Sequence, residues 1–275
     1  MEFLRDNTPI EEYKVNGNIV YVKREDLSTI PPMPPLAKLR GISLKIEKLV
    51  KQGITKIGVF DTRVSKSGLG ITTIAHFIYN DRVKVYLGYP KLNENNLLPP
   101  QIEKAQSLGA IIQPIRAGRL SICFARFRKI LDKDVYIFPH GLPFIETAEA
   151  EAKEALMVPE GLLTGSLVIC SGTATILSGV FSGLKRVPQI YSISAGKSIK
   201  EQRRRVCEIT EKLNPDRIFE INKINFTSDI MPYYETPLLE CPFPSHPNYD
   251  VKAWFWLLSN IEKIKKPILF WNIGA

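Results

Sequence analysis

Strand-like and helix-like segments alternate along almost the whole chain, and this alternation constrains the fold more than any other feature. Apolar runs such as "TKIGVF", "KVYLGY", "SLVIC" and "PILFW" are separated by amphipathic runs such as "PQIEKAQSLG" and "KEQRRRVCEITEKL". The run "DRIFEI" is predicted to be a further strand. Such alternation predicts an α/β protein with mostly parallel sheets, whose binding sites lie at the carboxyl ends of the strands.

The first fifty residues contain a lysine in an unusual place. Asn16 and Gly17 separate two β-prone runs and predict an N-terminal hairpin. Apolar residues at helical spacing then predict a helix from about Leu39 to Gly53, a natural C-terminal cap. Lys38 lies at or just before the start of that helix, and four prolines precede it in "PPMPPLAK".

Composition limits the class of protein. A chain of 275 residues that is 44% hydrophobic can bury a large core, as one domain or two lobes. The net charge of +9 favours an anionic ligand or nucleic acid, but it is equally compatible with a merely basic exterior. The four cysteines are scattered without a CxxC pair, so neither a metal site nor a disulfide framework is predicted. Without a long apolar run, the chain is predicted to be cytoplasmic and not membrane-bound.

Two turns of small residues follow predicted strands and precede predicted helices. A turn of this kind exposes backbone N–H groups and hydroxyls that can bind a phosphate or a carboxylate, but it is also a common packing device or helix cap. The first turn suits a substrate carboxylate and the second suits a phosphate. They contain Ser65, Lys66, Ser67, Gly68 and Gly70, and Ser171, Gly172, Thr173, Ala174 and Thr175, respectively.

Single residues also allow two interpretations. Lys38 is either a solvated lysine or a Schiff-base nucleophile, because burial lowers the pKa of a lysine and supplies a neutral amine. His76 lies on an apolar helix face and is predicted to be a core residue, whereas His140 and His246 are candidates for a pocket. The cluster at 203–205, "RRR", is typical of a solvated helix face.

The order of these motifs resembles that of a known enzyme family. "VKREDL" is followed by Lys38 in "LAKLR", the Ser-x-Ser-Gly turn, the Ser/Gly/Thr turn, "PNYDVKAW" and "PILFWNIGA". From about Tyr21 onward this order is similar to that of the fold-type II pyridoxal phosphate (PLP) enzymes. The nearest branch contains 1-aminocyclopropane-1-carboxylate (ACC) deaminase and D-cysteine desulfhydrase. The resemblance implies PLP as the cofactor, a two-lobed fold and a homodimer.

The resemblance also implies roles for particular residues. Lys38 would form the Schiff base with PLP, and the loop of Ser171, Gly172, Thr173, Ala174 and Thr175 would bind its phosphate. Tyr249 would work at the substrate, while Asp250 would pair with the pyridine nitrogen and strengthen the ring as an electron sink. Tyr233 and Tyr234 fall near a family tyrosine that lines the substrate pocket, and His140 follows a strand whose loop faces the active site in the family.

One turn departs from the family pattern. Relatives have Ser-Asn-His or Ser-Asn-Gln where this chain has Ser65, Lys66 and Ser67. Ser65 and Ser67 would bind the substrate carboxylate. Lys66 replaces a neutral partner of the cofactor with a cation, which makes Lys66 a cofactor-binding residue and a rival of Lys38 for the Schiff base.

Three functions are compatible with these observations. The first is a PLP-dependent lyase or deaminase that acts on an amino acid. The second is a PLP-dependent decarboxylase or lyase acting on an amino-acid group attached to a nucleotide or DNA, suggested by Lys66, the 203–205 cluster and the basic charge. The third is a non-catalytic relative that binds a nucleotide or nucleic acid. The predicted cofactor-binding domain comprises residues 1–51 and 139–275, with a smaller domain, residues 52–138, inserted.

Overall fold

The chain forms two compact units in a computed structural model that describes residues 3–91, 97–228 and 230–274. Unit 1 comprises Met1–Ile30, Pro35–Gly41 and Phe144–Ala275, and unit 2 comprises Pro31–Pro34 and Ile42–Pro143. The domain bounds given above stay a prediction, because compactness alone does not show that a unit folds independently. No helix among the described residues is long and apolar enough to cross a bilayer.

Strands and helices alternate through most of the described residues, which confirms the predicted α/β class. The strands are β1 (Ile10–Val15), β2 (Asn18–Arg24), β3 (Lys56–Phe60), β4 (Lys84–Lys91), β5 (Ile111–Arg116), β6 (Tyr136–Ile137), β7 (Ser166–Ser171), β8 (Gln189–Ser194), β9 (Ile224–Thr227) and β10 (Ile268–Asn272). The helices are α1 (Leu39–Lys51), α2 (Ser67–Tyr79), α3 (Pro100–Ser107), α4 (Leu120–Ile130), α5 (Ile145–Leu156), α6 (Thr175–Gly183), α7 (Ile199–Leu213) and α8 (Asp250–Asn260).

Unit 1 is built on a six-stranded sheet in the order β1-β2-β10-β7-β8-β9. β1 and β2 form the predicted antiparallel hairpin, and Asn16 and Gly17 adopt the positive φ that a tight turn needs. All other neighbouring strands in this sheet are parallel. β10 is paired on both sides, so it joins the hairpin to the rest of the sheet.

Both faces of the unit 1 sheet are covered by helices. Along β7 and β10, alternate residues point to opposite faces, and all of them are buried. Leu167 and Trp271 pack in one core with Phe181 of α6, whereas Val168 and Phe270 pack in the other with α8. Burial on both faces explains why "SLVIC" and "PILFW" are continuously apolar instead of alternating.

Unit 2 is built on a four-stranded parallel sheet in the order β5-β4-β3-β6. Phe60, Ile115, Cys123 and Phe127 form a buried cluster on this sheet. Gly88 permits the close approach of α4, since a Cβ added there would lie 2.5 Å from the Phe127 ring. α4 therefore buries Cys123 and Phe127 and presents its opposite face to solvent.

The segment after α7 differs from its prediction. "DRIFEI" was predicted to be a strand, but residues Pro215–Lys223 form a 3-10 helix and β9 begins only at Ile224. Arg217 stabilises the helix, since its guanidinium donates hydrogen bonds to Glu220 at 2.6 Å and to the Leu184 carbonyl at 2.6 Å. The strand prediction was therefore wrong for these residues. The following irregular stretch contains Tyr233 and Tyr234.

Candidate active site

Lys38 lies one residue before α1, half-buried, on a segment that is attached to the chain beyond β10. Leu36 forms a β-bridge with Gly274, and the Ala37 N–H donates to the Ile273 carbonyl at 3.1 Å. These contacts fix the backbone immediately before Lys38. The prediction that Lys38 lies just before a helix start is confirmed.

A buried network of charges fixes the other side of Lys38. Arg40, two residues later, forms ion pairs with Glu25, with Glu151 at 3.0 Å and with Glu154 at 3.0 Å. Lys23 adds a second cation, 2.7 Å from Glu154. Burial, followed by repulsion from Glu151, raises the pKa of Glu25 to about 8, and burial also raises the pKa of Glu151. The network thus balances two cations against three carboxylates by keeping one carboxyl protonated.

A second group of contacts secures the chain at the end of β10. Arg24 donates two hydrogen bonds to Asp26, at 2.9 and 2.8 Å, and the Asn272 amide donates to the same carboxylate at 2.8 Å. Arg24 and Asp26, together with Lys23 and Glu25, are the charged residues of "VKREDL". The motif therefore has a structural role, because it anchors both segments that flank Lys38 on the backbone.

Close packing also determines the position of α1. Gly41 faces α5, and a Cβ added at Gly41 would lie 2.2 Å from the Thr147 Cα. Only glycine leaves room for the α5 backbone at this distance. The first turn of α1 is therefore held by a steric contact as well as by ion pairs.

The loop between β7 and α6 contains several polar groups. Ser171 ends β7, and its buried hydroxyl has no hydrogen-bond partner among the described residues. Ala174 adopts a positive φ of 61° just before α6, and the Thr173 and Thr175 hydroxyls lie 3.2 Å apart. A Cβ added at Gly172 would meet nothing nearer than 3.7 Å. The loop thus combines hydroxyls with a helix N-terminus, as an anion site requires.

Asp250 is a fully buried carboxyl at the start of α8. Its Oδ1 accepts a hydrogen bond from the Ile273 N–H at 3.0 Å, whereas Oδ2 has no partner among the described residues. Burial raises the pKa of Asp250 to about 8, and the charge of Asp26 adds to the shift. The Asp250 carboxyl thus joins the start of α8 to the chain after β10.

Tyrosines cluster beside the loop after β7. The Tyr233 and Tyr249 hydroxyls share a hydrogen bond, and their ring centroids are 5.8 Å apart. The nearest neighbours of a Cβ added at Gly172 include the Tyr249 ring, at 3.7 Å, and one added at Gly196 would lie 3.0 Å from the Tyr233 ring. Tyr234 contacts Tyr233 edge-to-face at 4.9 Å and is 54% exposed. The Tyr249 and Tyr233 rings therefore lie near the carboxyl ends of β7 and β8, respectively.

Lys252 and Asn248 support this cluster, although the sequence predicted no role for either residue. Lys252 is fully buried on α8, and its ammonium donates to the Pro232 carbonyl at 2.7 Å and to the Tyr233 carbonyl at 3.1 Å. The Asn248 amide also donates to the Tyr233 carbonyl, at 3.1 Å. His246 packs on Tyr249 with ring centroids 4.8 Å apart. One sequence feature indicates that Lys252 is buried, because it lies on the apolar side of the helix "VKAWFWLL".

The turn at Ser65 belongs to unit 2. The Ser65 and Ser67 hydroxyls are hydrogen-bonded at 3.2 Å, and the Gly68 N–H donates to buried Asp61 at 2.6 Å. Asp61, at the end of β3, therefore supplies the cap of α2. Lys66 is half-buried, and burial lowers its pKa.

The remaining histidines of unit 2 differ in their surroundings. His140 is partly buried, and its ring lies 6.0 Å from the Phe60 ring and 5.9 Å from the Phe124 ring. His76 was predicted to be a core residue, which is wrong. It is 36% exposed and forms an ion-pair contact with Asp81 at 3.0 Å, because it lies at the end of α2 where the helix surface meets solvent. Groups of side chains suited to bind a metal are absent from the described residues.

Comparisons with known proteins establish the family. No protein-family model matches the chain. A protein of Pseudomonas phage M6 named glycyl-dTMP PLP-dependent decarboxylase is 30% identical over 279 residues, which cover 98% of this chain and 99% of the relative. The chain belongs to the PLP-dependent enzymes of fold type II. The predicted family and cofactor are confirmed, and the hypothesis of a non-catalytic relative is not supported.

Solved structures agree with the fold. A homologue of ACC deaminase has a TM-score of 0.75 at 16% identity, with 99% of this chain and 92% of the homologue covered. A hydrogen sulfide-producing enzyme from Fusobacterium nucleatum has a TM-score of 0.65 at 15% identity, with 99% and 96% covered. Threonine deaminase isoform 2 from Solanum lycopersicum has a TM-score of 0.61 at 14% identity, with 100% and 80% covered. At these low sequence identities, the similarity shows a shared fold and nothing further.

The residues of unit 1 fit PLP. The cofactor has an anionic phosphate, a ring nitrogen and an aldehyde that reacts with an amine. The unit contains an anion-binding loop with an unpartnered Ser171 hydroxyl, a buried carboxyl with an unpartnered oxygen at Asp250, and a half-buried amine at Lys38. Among the described residues, eight buried side-chain polar atoms lack a partner, and the two at this predicted site are placed on residue types that suit a polar ligand such as PLP.

Proposed function

We propose that this enzyme is a decarboxylase that removes the carboxyl group of an amino-acid moiety, a glycyl group, attached to a thymidine nucleotide. The likeness to the glycyl-dTMP decarboxylase of phage M6 carries the proposal, because it covers 98% of this chain and 99% of the relative. The second function considered from the sequence, a decarboxylase acting on a nucleotide-linked amino acid, is thus preferred to a deaminase of free amino acids.

Within this proposal, the cofactor is held at three points. Lys38 supplies the amine, the residues from Ser171 to Thr175 bind the phosphate, and Asp250 faces the ring nitrogen. PLP, when bound, withdraws electrons from the bond that breaks at the amino-acid carbon. Asp250 is suited to its part, because an unpaired buried carboxyl is costly to ionise and a cationic ring nitrogen would stabilise its charge. Lys66 is proposed as an additional cofactor contact.

Tyr249 is proposed to move the proton. Loss of CO2 leaves an electron pair on the substrate carbon, and that carbon must then receive a proton. The Tyr249 hydroxyl is aligned by its hydrogen bond with the Tyr233 hydroxyl, so a proton taken from Tyr249 can be replaced through Tyr233. Lys38 is the alternative donor. Ser65 and Ser67 are proposed to bind the amino-acid carboxylate, and Tyr233, Tyr234 and His140 to contact the rest of the substrate.

The test is the release of CO2 by purified, PLP-loaded protein. Glycyl-dTMP is offered as the substrate, free glycine as the matched control, and the product is checked by the corresponding loss of mass. We expect CO2 from glycyl-dTMP alone and none from the Lys38→Ala variant. Release of ammonia from free amino acids, with glycyl-dTMP unchanged, would contradict the proposal and favour the deaminase.

The visible absorption of the loaded protein identifies the anchoring lysine. A band that PLP gains on covalent binding should be present in the wild type and in Lys66→Ala and absent in Lys38→Ala. The reverse pattern would make Lys66 the anchor. The homodimer remains a proposal from the family resemblance, and sedimentation of the loaded protein at several concentrations tests it.

A further inference from the structure

The excess of Lys and Arg over Asp and Glu lies entirely in unit 2. Unit 1 contains 21 Lys and Arg residues against 21 Asp and Glu residues, a difference of zero. Unit 2 contains 16 against 7, a difference of +9, which equals the net charge of the whole chain. A general excess of surface lysine would be spread over both units. The uneven division therefore indicates that unit 2 faces a polyanion.

Within unit 2, exposed cations concentrate on and beside α4. Arg116 and Arg119 precede the helix and Arg126 and Lys129 lie on it, and all four are exposed. Arg119, Ile122, Arg126 and Lys129 follow one another at intervals of three or four residues, so they form one exposed stripe beside the face that buries Cys123 and Phe127. Arg126 donates to the Arg116 carbonyl at 3.1 Å, so the backbone of exposed Arg116 lies beside this stripe.

The stripe is not neutralised. Among the described residues, no carboxylate forms an ion pair with Arg116, Arg119, Arg126 or Lys129. Elsewhere on unit 2 a neighbouring acid is used, as with Lys56 and Asp134 at 2.6 Å. Four exposed cations without acidic partners repel one another, and an anionic ligand would remove that repulsion.

The other cationic cluster of the chain differs in this respect. The residues at 203–205 lie on α7 in unit 1, where Arg204 pairs with Glu208 and the helix also contains Glu201 and Glu211. This cluster, which suggested a nucleic-acid partner, is therefore partly balanced, since α7 contains three carboxylates for its five cations. Residues 116–130 contain five cations and no acidic residue, so the larger local excess of positive charge lies on and beside α4.

We infer that the α4 stripe, defined as Arg116, Arg119, Arg126 and Lys129, binds the sugar-phosphate backbone of duplex DNA, and that the enzyme meets its nucleotide within the polymer. The choice of DNA rests on the proposed deoxynucleotide substrate. From Arg119 to Lys129 the helix rises about 15 Å. Duplex DNA carries roughly nine backbone charges over that length, so the four cations can each reach a phosphate. A free mononucleotide would need no surface of this extent.

The test measures binding of a labelled DNA duplex to the PLP-loaded protein by fluorescence anisotropy at several salt concentrations. The stripe variant carries Arg116→Gln, Arg119→Gln, Arg126→Gln and Lys129→Gln. The matched control removes four cations from α7, by Lys200→Gln, Arg203→Gln, Arg204→Gln and Arg205→Gln. Each phosphate contact contributes about 0.9 to the slope of log affinity against log salt concentration.

We expect the wild type and the α7 control to have the same slope. The stripe variant should lose about 3 to 4 from that slope and bind at least tenfold more weakly at low salt. The double variant Arg126→Gln, Lys129→Gln should lose about half as much, and it guards against a folding defect in the fourfold variant. Equal slopes for wild type and stripe variant, an equal loss in the α7 control, or tighter binding to an RNA duplex at the same salt concentration would each overturn the inference.

Activity separates this inference from the proposed function. All variants should decarboxylate glycyl-dTMP as the wild type does, since the stripe lies outside the residues proposed for chemistry. DNA binding through the stripe without any decarboxylation would refute the proposed function and leave the surface intact. Decarboxylation of the mononucleotide by a protein that does not bind duplex DNA would refute the surface alone.

Discussion

Replacing Asp250 with asparagine should flatten the pH dependence of stability in the cofactor-free protein. The pKa of Asp250 is raised from 3.8 to about 8 in the folded chain, mainly by burial. The folded chain therefore keeps a proton that the unfolded chain releases, so the stability contributed by this proton is lost as the pH rises from about 4 to about 8. Asparagine does not titrate, and its side-chain oxygen can still accept the bond from the Ile273 N–H.

The size of the effect follows from the pKa difference. When the folded chain binds one proton more than the unfolded chain, the free energy of unfolding falls by roughly 1.4 kcal/mol for each unit by which the pH rises. Between pH 5 and pH 8 the wild type should therefore lose about 4 kcal/mol more than Asp250→Asn. Glu25, whose pKa is also raised to about 8, titrates in both proteins and cancels in the comparison.

Urea unfolding of both cofactor-free proteins at pH 5, 6, 7 and 8 measures this difference. Curves that lose stability in parallel would show that Asp250 is ionised in the folded chain, and the reasoning from burial would then be wrong. Added PLP provides a second comparison. If Asp250 pairs with the ring nitrogen as proposed, PLP should reduce the pH dependence of the wild type and leave that of Asp250→Asn nearly unchanged.

Three further predictions concern the residues that position the site. Gly41→Ala should destabilise unit 1 by about 3 kcal/mol and weaken PLP binding, because its Cβ would overlap the Thr147 backbone; thermal unfolding and PLP titration measure both. Arg40→Met should cost about 3–5 kcal/mol in urea unfolding, since it leaves buried carboxylates without their cation. Lys252→Met and Tyr233→Phe should each lower kcat, but the double variant should be hardly worse than Tyr233→Phe, because Lys252 acts by placing Tyr233. Multiplying losses in kcat would show that Lys252 acts independently.

Local features of the fold were predictable because their causes lie within a few residues. Asn16 and Gly17 determine the hairpin turn, and Gly53 follows α1 with a positive φ of 80°. "DRIFEI" misled because an amphipathic run of six residues is compatible with either a strand or a helical turn. The bonds from Arg217 to Glu220 and Leu184 decide for the helix, and Leu184 is distant in sequence.

The motifs of the candidate site could be recognised in the sequence, whereas the residues that hold those motifs in place could not. "NYD" and the Ser/Gly/Thr turn indicate Asp250 and Ser171 because the order of these motifs along the chain resembles that of the family. The partners of Arg40 at Glu151 and Glu154 are more than a hundred residues away, so no spacing in the sequence reveals them. Lys252 was missed for a related reason, since a lysine near a helix start is usually solvated and only burial distinguishes this one.

The position of β10 in the sheet of unit 1 has a consequence for synthesis of the chain. The hairpin of β1 and β2 emerges first, and β7 follows more than 140 residues later, yet neither can be joined to the other until Ile268 to Asn272 have been made. Until then two sheet edges stay open, and the partners of Ala37 and Asp250 at Ile273 do not exist. A chain truncated before Ile268 would thus keep two exposed sheet edges and lack the contacts that assemble the cofactor site.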